Sequence, residues 1–121
     1  MKKFLQALVL AASTFLLTST ALAREYQVNG LTIRLIRVVG QYEDPTYRNT
    51  IELYFTDQLT LPNGAPCTDT SRVYIDANNY HLVAAAYTAF YKARRINISF
   101  NDNLPRRNGA CEVSFIDLLP A

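Results

Sequence analysis

The chain has 121 residues with 12 basic and 10 acidic side chains, a formal net charge of +2. Without the N-terminal Lys2 and Lys3 the charges balance, which argues against a nucleic-acid partner because binding to phosphates needs an excess of positive charge. The length suits one small domain and excludes two.

Residues 1–23 have the three parts of a secretory signal peptide. A basic start precedes an apolar run over residues 4–17, and small residues end the segment at Ala21-Leu22-Ala23. A membrane anchor is the alternative, but the run is shorter than the roughly 20 apolar residues that a membrane-spanning helix needs. We therefore expect cleavage after Ala23, no stable membrane anchor, and a periplasmic or secreted domain formed by residues 24–121.

The first half of this domain alternates apolar and polar residues at period two, which is the spacing of strands. The pattern predicts a long, bent first strand over residues 26–39 and a second strand over residues 50–56 with Ile51, Leu53 and Phe55 inward. Turn-forming residues predict loops over residues 40–49 and 57–71.

Residues 72–100 read as a strand, a helix and a strand, with the helix over residues 79–94. Asn78 or Asn79 is expected to cap the helix, and basic residues favour its C-terminal end. His81, the single histidine, lies on the opposite side of the predicted helix from an aromatic stripe that contains Tyr80 and Tyr87, and it is expected to face solvent. A polar loop over residues 101–110 and a last strand over residues 111–118 follow. The residues at helical spacing that form the stripe are Tyr80, Val83, Ala84, Tyr87, Phe90 and Tyr91.

Two cysteines in an exported chain predict one disulfide, Cys67–Cys111. On the chain-entropy model such a loop stabilises the fold by roughly 4 kcal/mol. A redox-active pair is the alternative, but the Cys-x-x-Cys spacing typical of such pairs is absent from the sequence.

The predicted order of elements is β-β-β-α-β-β with one disulfide. This is the order of the OB-fold, a five-stranded Greek-key barrel whose second and third strands and neighbouring loops hold the ligand. We therefore expect a mainly β, OB-fold-like barrel over residues 24–121. An open α+β sheet with one covering helix has the same composition and stays open as an alternative.

The block 80–100 carries a family resemblance. An Ala- and Tyr-rich helix runs through Ala84-Ala85-Ala86-Tyr87 and Tyr91-Lys92-Ala93 into Ile96-Asn97-Ile98, and Cys111 follows. These residues resemble the C-terminal half of the receptor-binding B subunits of subtilase cytotoxin and pertussis-like toxins, and equally small exported bacterial proteins with the same ending. The toxin resemblance implies an OB-fold, a pentameric ring and binding of cell-surface glycans. The serine-containing sugar-binding motif of those subunits has no counterpart here, so no sugar-binding residue is carried over.

Arginine and tyrosine in the two polar loops are the candidate ligand-binding residues, because they bind carboxylate-bearing sugars by bidentate hydrogen bonds and ring stacking. Solvated loops without a binding role are the alternative. Tyrosines expected to point outward from the second and third strands join the candidates. The full set is Tyr42, Tyr47, Arg48, Tyr54, Tyr74, Arg106, Arg107 and Asn108.

Catalysis is not indicated by the sequence. One histidine without a recognisable nucleophile or carboxylate partner predicts no catalytic residue, and one histidine with two paired cysteines predicts no metal site and no cofactor. The adjacent Glu43 and Asp44 favour a turn before Pro45 over paired acid-base chemistry.

We therefore expect an exported, non-enzymatic binding module that recognises a glycan or another envelope molecule, with a ring-shaped homo-oligomer, a pentamer, as the implied assembly. The alternative is a periplasmic structural or stress-related protein that binds a protein partner.

Overall fold

The computed structural model describes residues 24–121, so the predicted signal peptide lies outside the described residues. The described part is mainly β, with eight strands, one helix and a short 3-10 turn at Pro45–Tyr47. No helix within it has the length and apolar character that crossing a membrane requires. The elements are β1 (Glu25–Leu31), β2 (Ile33–Val39), β3 (Thr50–Phe55), β4 (Arg72–Asp76), α1 (Tyr80–Tyr91), β5 (Ile96–Asn101), β6 (Arg106–Arg107), β7 (Ala110–Cys111) and β8 (Phe115–Leu118).

The strands form three antiparallel sheets, ordered β1-β5-β8, β2-β3-β4 and β6-β7. The predicted first strand is broken at Thr32, and its two halves belong to different sheets. Gly30, in the left-handed region at φ +69°, and a register shift between Val28 and Leu31 mark the break. One continuous segment of chain therefore serves both larger sheets.

An isolated parallel bridge between Tyr74 and Glu112 connects β4 with the segment between β7 and β8. In this bridge the Val113 amide donates to the Tyr74 carbonyl oxygen at 2.9 Å. The strands form three separate sheets and not a closed barrel, so the prediction of a five-stranded OB-fold-like barrel is not confirmed. The predicted last strand is also divided, into β7 and β8, because residues 112–114 leave the ladder. The mainly β class, the helix between β4 and β5, and the disulfide are confirmed.

The core lies between the two larger sheets and α1. Ile51, Leu53 and Phe55 are buried, as the alternation of the second strand predicts. The strands that flank the helix are buried on both faces, since Tyr74 and Ser99 are as inaccessible as their apolar neighbours. A strand covered on both faces needs a hydrogen-bond partner for each polar side chain, and the Ser99 hydroxyl donates to Glu25 at 2.6 Å.

The disulfide joins Cys67, in the loop before β4, to Cys111 in β7, with their Cα atoms 5.3 Å apart. Both cysteines are buried. Beside the bridge, the amides of Thr68 and Asp69 donate to the carbonyl oxygen of Gly109 at 2.9 Å each. The disulfide therefore fastens the 57–71 loop to the end of the 101–110 loop.

The helix α1 packs against the sheets with a different face from the one that carries its tyrosines. Leu82, Ala86 and Ala89 are its buried residues. The tyrosines of the predicted stripe face solvent, with Tyr80 76% and Tyr91 89% exposed, whereas its Val83 is partly buried against the core. Small side chains at the contact let the helix backbone approach the strands closely, which a tyrosine there prevents. His81 is exposed as well, in agreement with the prediction for this residue.

The helix ends three residues earlier than predicted, in a turn centred on Ala93. Ala93 has a left-handed conformation at φ +50°. The Arg94 amide donates to the Ala89 carbonyl oxygen at 2.8 Å and the Ala93 amide to that of Phe90 at 3.3 Å, which are the two bonds of a Schellman motif. Asn79 occupies the N-cap position without a capping side-chain hydrogen bond. An alanine thus occupies the position that glycine usually takes in this motif.

Ala93→Gly is expected to raise the free energy of unfolding by about 0.5–1 kcal/mol. Relief of the left-handed strain contributes about 1–2 kcal/mol, and the greater freedom of glycine in the unfolded chain offsets about 0.4–1 kcal/mol of it. Urea denaturation measures the change. Ala85→Gly, in the middle of α1, is the matched control and is expected to lower stability by about 1 kcal/mol. Equal destabilisation by both substitutions contradicts the prediction.

Candidate functional site

Two loops that are distant in sequence meet at one end of the β2-β3-β4 sheet. The 40–49 loop connects β2 to β3, and the 101–110 loop contains β6. The Arg107 guanidinium donates to the carbonyl oxygen of Thr46, and the Asn108 side-chain amide donates to the Tyr47 hydroxyl at 2.9 Å. The second loop therefore holds the first loop, and with it the Tyr47 ring, against the sheet.

Beside Tyr47 lies a charged cluster built across three strands. Glu52 of β3 is paired with Arg37 of β2 at 3.3 Å and with Arg72 of β4 at 2.6 Å. Arg37 is directly opposite Glu52 in the ladder, and Arg72 is its diagonal neighbour on the other side. Arg72 also donates to Asp69 at 3.0 Å. Two guanidinium groups thus flank one carboxylate.

Aromatic rings cover both guanidinium groups. Arg37 lies 5.3 Å from the centre of the Tyr54 ring, and Arg72 lies 5.4 Å from that of Tyr47. These distances are typical of cation–π contacts. The Tyr54 hydroxyl accepts a hydrogen bond from Arg37 at 3.1 Å and donates to Glu52 at 3.3 Å. The cluster is consequently fixed by stacking as well as by charge.

Neighbouring groups keep Arg72 and Asp69 ionised despite their burial. Burial opposes the charge of Arg72, but the neighbouring Tyr54, Tyr47 and Glu52 keep the pKa of its guanidinium above the ordinary value. Burial also opposes the charge of Asp69, but hydrogen bonds from Ser71 and Arg72 outweigh it and keep the pKa of the Asp69 carboxyl below its usual range. Arg72 and Asp69 therefore remain an ion pair at neutral pH.

A pocket of about 390 Å³ opens over this cluster. Its lining combines two tyrosine rings, two guanidinium groups, one carboxylate and one aliphatic side chain. Rings offer apolar faces for stacking, and the charged groups offer both donors and acceptors. We call it the arginine–tyrosine pocket, and its lining residues are Arg37, Val39, Tyr42, Tyr47, Glu52 and Arg72.

Of the predicted ligand-binding residues in the 40–49 loop, some line the pocket and one does not. Tyr42 and Tyr47 line the pocket, and Tyr54 borders it through its contacts with Arg37 and Glu52. The Arg48 guanidinium is occupied by its own loop, where it donates to the carbonyl oxygens of Tyr42 and Glu43. Arg48 thus shapes the loop, and the two tyrosines are the loop residues that face the pocket.

The residues predicted from the 101–110 loop lie outside the pocket lining. Arg107 stacks 5.0 Å from the centre of the Tyr74 ring, and its Nε is buried without a hydrogen-bond partner among residues 24–121. Asn108 acts on the pocket through the Tyr47 hydroxyl. Arg106 is exposed in β6. This loop supports the pocket wall from behind.

Tyr74 does not point outward as predicted. Its side chain is 2% exposed, and its hydroxyl donates to the Pro105 carbonyl oxygen. Burial and the nearby Glu112 carboxylate raise the pKa of Tyr74 to about 12. The reason for the error is the 101–110 loop, which covers the outer face of β4. Tyr74 is therefore part of the core beneath this loop.

Arg37, Glu52 and Arg72 are the charged pocket residues that sequence reasoning missed, and the aliphatic Val39 was missed with them. Each belongs to a predicted strand, and Glu52 lies between two buried apolar neighbours along β3. Opposite charges at such positions on successive strands were the available signal. This signal does not identify which charges pair until the strand register is known, and the register sets Arg37 opposite Glu52.

A second, more open depression lies at the start of α1 and is lined by Asp76, Asn78, Asn79, Tyr80, His81 and Glu112. Burial and the neighbouring Asp76 raise the pKa of the Glu112 carboxyl, although Arg107 acts in the opposite direction. Among residues 24–121, no group of three or more histidine, cysteine, aspartate or glutamate side chains is arranged to hold a metal ion. The arginine–tyrosine pocket is the better organised of the two concavities.

Comparison with family models, curated proteins and solved structures finds no match to this chain. The likeness to toxin B subunits seen in residues 80–100 therefore remains a hypothesis. A function for the protein has to be argued from the chemistry of its own pocket.

Proposed function

We propose that the protein is an exported, non-enzymatic binding module whose arginine–tyrosine pocket accepts a carboxylate-bearing sugar. The observation that carries the proposal is the arrangement of two tyrosine rings beside two guanidinium groups in one pocket. Sugar rings stack their C–H faces on aromatic side chains, and a guanidinium fork binds a carboxylate with two parallel hydrogen bonds. Both elements of recognition are available within the same 390 Å³.

The electrostatics of the cluster favour an anionic ligand over a cationic one. The four charges of the cluster balance, but they lie at different depths. The Arg37 side chain is 56% exposed, whereas that of Glu52 is 4% exposed. Arg37 uses one of its terminal nitrogens for Glu52 and Tyr54, and its other guanidinium nitrogens make no hydrogen bond within residues 24–121. The accessible charge in the pocket is therefore positive.

The position of the pocket supports an OB-fold relationship within the same proposal. In that fold, ligands lie on the second and third strands and against the loop between the first and second strands. If β1 and β2 count as one bent first strand, Glu52 and Arg72 fall on the second and third strands, and Tyr42 and Tyr47 fall on that loop. The parallel bridge between Tyr74 and Glu112 lies where a closed barrel joins its third and fifth strands.

The disulfide supports the exported location. A buried disulfide is compatible with the periplasm or the extracellular space, where such bonds persist. The tripartite pattern of residues 1–23 favours the same destination. Sugars with carboxylate groups occur on cell surfaces and in envelope polymers, which an exported protein can reach.

The test is binding of the purified, disulfide-bonded protein to an array that presents neutral sugars and their carboxylate-bearing counterparts. We expect selective binding to the carboxylated members. Arg37→Ala is expected to weaken it at least about tenfold, because one charge-assisted hydrogen bond contributes about 1.5–3 kcal/mol. Arg34→Ala, an exposed arginine on the same strand outside the pocket, is the matched control and is expected to leave binding unchanged.

Three results contradict the proposal: silence across the array, equal binding to neutral and carboxylated sugars, or equal loss in both arginine variants. A silent array directs attention to a protein partner in the envelope. Thermal unfolding of each variant shows whether a loss of binding reflects loss of the fold.

A further inference from the structure

The exposed face of α1 lies outside the arginine–tyrosine pocket and carries several aromatic side chains. Tyr80, Ala84, Tyr87 and Tyr91 recur at intervals of four, three and four residues, so they form one narrow stripe along the helix. Tyr80 and Tyr91 are 76% and 89% exposed, and Tyr87 is 41% exposed. Phe90, 45% exposed, flanks the stripe. We refer to Tyr80, Ala84, Tyr87, Phe90 and Tyr91 as the aromatic face.

The aromatic face is large for an isolated surface. A whole aromatic side chain has about 150–250 Å² to bury, so the exposed fractions of its four rings leave about 500 Å² per copy. Exposed apolar patches of more than a few hundred Å² mark interaction sites on soluble proteins. Two such faces pressed together hide up to about 1,000 Å² in total, which is the least that a specific protein interface needs.

The stripe is complementary to itself when one copy is reversed. In an antiparallel pair of helices with the two-fold axis midway between Ala84 and Tyr87, Tyr87 of one copy meets Ala84 of the other. Tyr80 then meets Tyr91. The small alanine leaves a hollow that accepts the facing tyrosine ring, so large and small side chains interdigitate. A two-fold interface requires this self-matching of one patch.

The charges are also compatible with a second copy. No Asp, Glu, Lys or Arg occurs within Tyr80–Tyr91, so two copies of the face do not repel each other. Asp76 lies near the start of the helix, in the same depression as Tyr80, and Lys92 follows its end. In the reversed arrangement the basic end of one helix lies beside the acidic start of the other, and the two helix dipoles are antiparallel.

We propose that the aromatic face is the interface of a homodimer in which two copies of α1 pack antiparallel. This arrangement differs from the ring implied by the toxin resemblance. A ring joins two different patches of each subunit, whereas a self-complementary stripe closes on itself with two copies. The dimer leaves the arginine–tyrosine pocket untouched, since that pocket lies on β2, β3, β4 and the 40–49 loop.

The mass of the purified protein in solution, followed over a range of concentrations by sedimentation or light scattering, tests the proposal. We expect a transition from one to two copies. Tyr87→Lys is expected to raise the dissociation constant at least about tenfold, since it places two like charges near the axis and removes the ring that fills the hollow at Ala84. Tyr91→Lys, at an almost fully exposed position, is the second variant and is expected to weaken the dimer as well.

His81→Lys is the control, because it adds the same charge to the same helix on a side that is exposed but outside the stripe. It is expected to leave the dimer intact. A protein that remains a single copy up to about 1 mM overturns the proposal. So does a mass of five copies, or a dimer that survives both tyrosine substitutions. Sugar binding by the His81→Lys and Tyr87→Lys variants is expected to be equal, so failure of the dimer and failure of the pocket are distinguished.

Discussion

Removal of the Cys67–Cys111 disulfide is expected to lower the free energy of unfolding by about 4 kcal/mol. The bridge closes a loop between residues 44 apart in sequence, which restricts the unfolded chain far more than the folded one. A domain of this size is usually stable by about 5–15 kcal/mol, so the loss is a large fraction of the total. The measurement is urea denaturation of Cys67→Ala/Cys111→Ala at neutral pH, compared with the oxidised protein.

The native protein after reduction is the control for this result. Reduction keeps both sulfur atoms in the core, so it separates the lost cross-link from the small cavities that alanine leaves. We expect the reduced protein and the double variant to unfold at similar urea concentrations. A loss of less than about 1 kcal/mol in both shows that the contacts around Gly109, and not the cross-link, hold the two loops together.

The second large effect is expected from Glu52→Gln, which should destabilise the fold by about 3 kcal/mol. Glu52 is 3% exposed, and its carboxylate is the partner of Arg72, whose side chain is also mostly buried. Glutamine keeps the shape of the Glu52 side chain and removes its charge, so Asp69 is the one carboxylate that remains paired with Arg72. A buried guanidinium with too little negative charge around it destabilises the fold, because ion pairing no longer offsets the free energy of removing the charge from water.

Glu43→Gln is the matched control, since Glu43 is exposed and its side chain makes no ion pair within the described residues. It should change stability by less than about 0.5 kcal/mol. In an Arg72→Met background, Glu52→Gln is expected to lower the free energy of unfolding by less than it does in the native protein. The reason is that the Arg72 guanidinium, which the substitution would leave without its partner, is absent. Equal costs in the two backgrounds contradict the proposed coupling of Glu52 with Arg72.

Much of the fold follows from local patterns in the sequence. Alternating residues such as Ile51, Leu53 and Phe55 identify strands because the pleat turns every second side chain to the same side. Two cysteines admit one pairing. The break at Thr32 was not predictable in the same way, since the residues before and after it continue to alternate. The strand divides because its halves find partners in different sheets, and those partners are distant in sequence.

The helix shows a different limit of periodicity. Tyr80, Tyr87 and Tyr91 share one face, but Leu82, Ala86 and Ala89 share another and also recur at helical spacing. Periodicity identifies both faces and does not select between them. The selection depends on how closely α1 approaches the strands, which is a property of the packed structure.

Only part of the candidate site could be predicted from the sequence. Tyr42 and Tyr47 were found from composition, because the loops of a β-domain carry its ligand-binding residues. Arg37 and Glu52 were missed because a pair across strands is defined by register, and register depends on partners far along the chain. The burial of Tyr74 depends likewise on the 101–110 loop folding over β4.

The division of the first strand at Thr32 has a consequence for the order in which the chain folds. Sheet β2-β3-β4 is built from neighbouring segments, so it requires the closure of short loops only. Sheet β1-β5-β8 instead joins Glu25 to Asn101, 76 residues away. Contacts of such long sequence separation form slowly. The half of the strand before Thr32 therefore stays unpaired, as a free edge open to other chains, until β5 has folded against it.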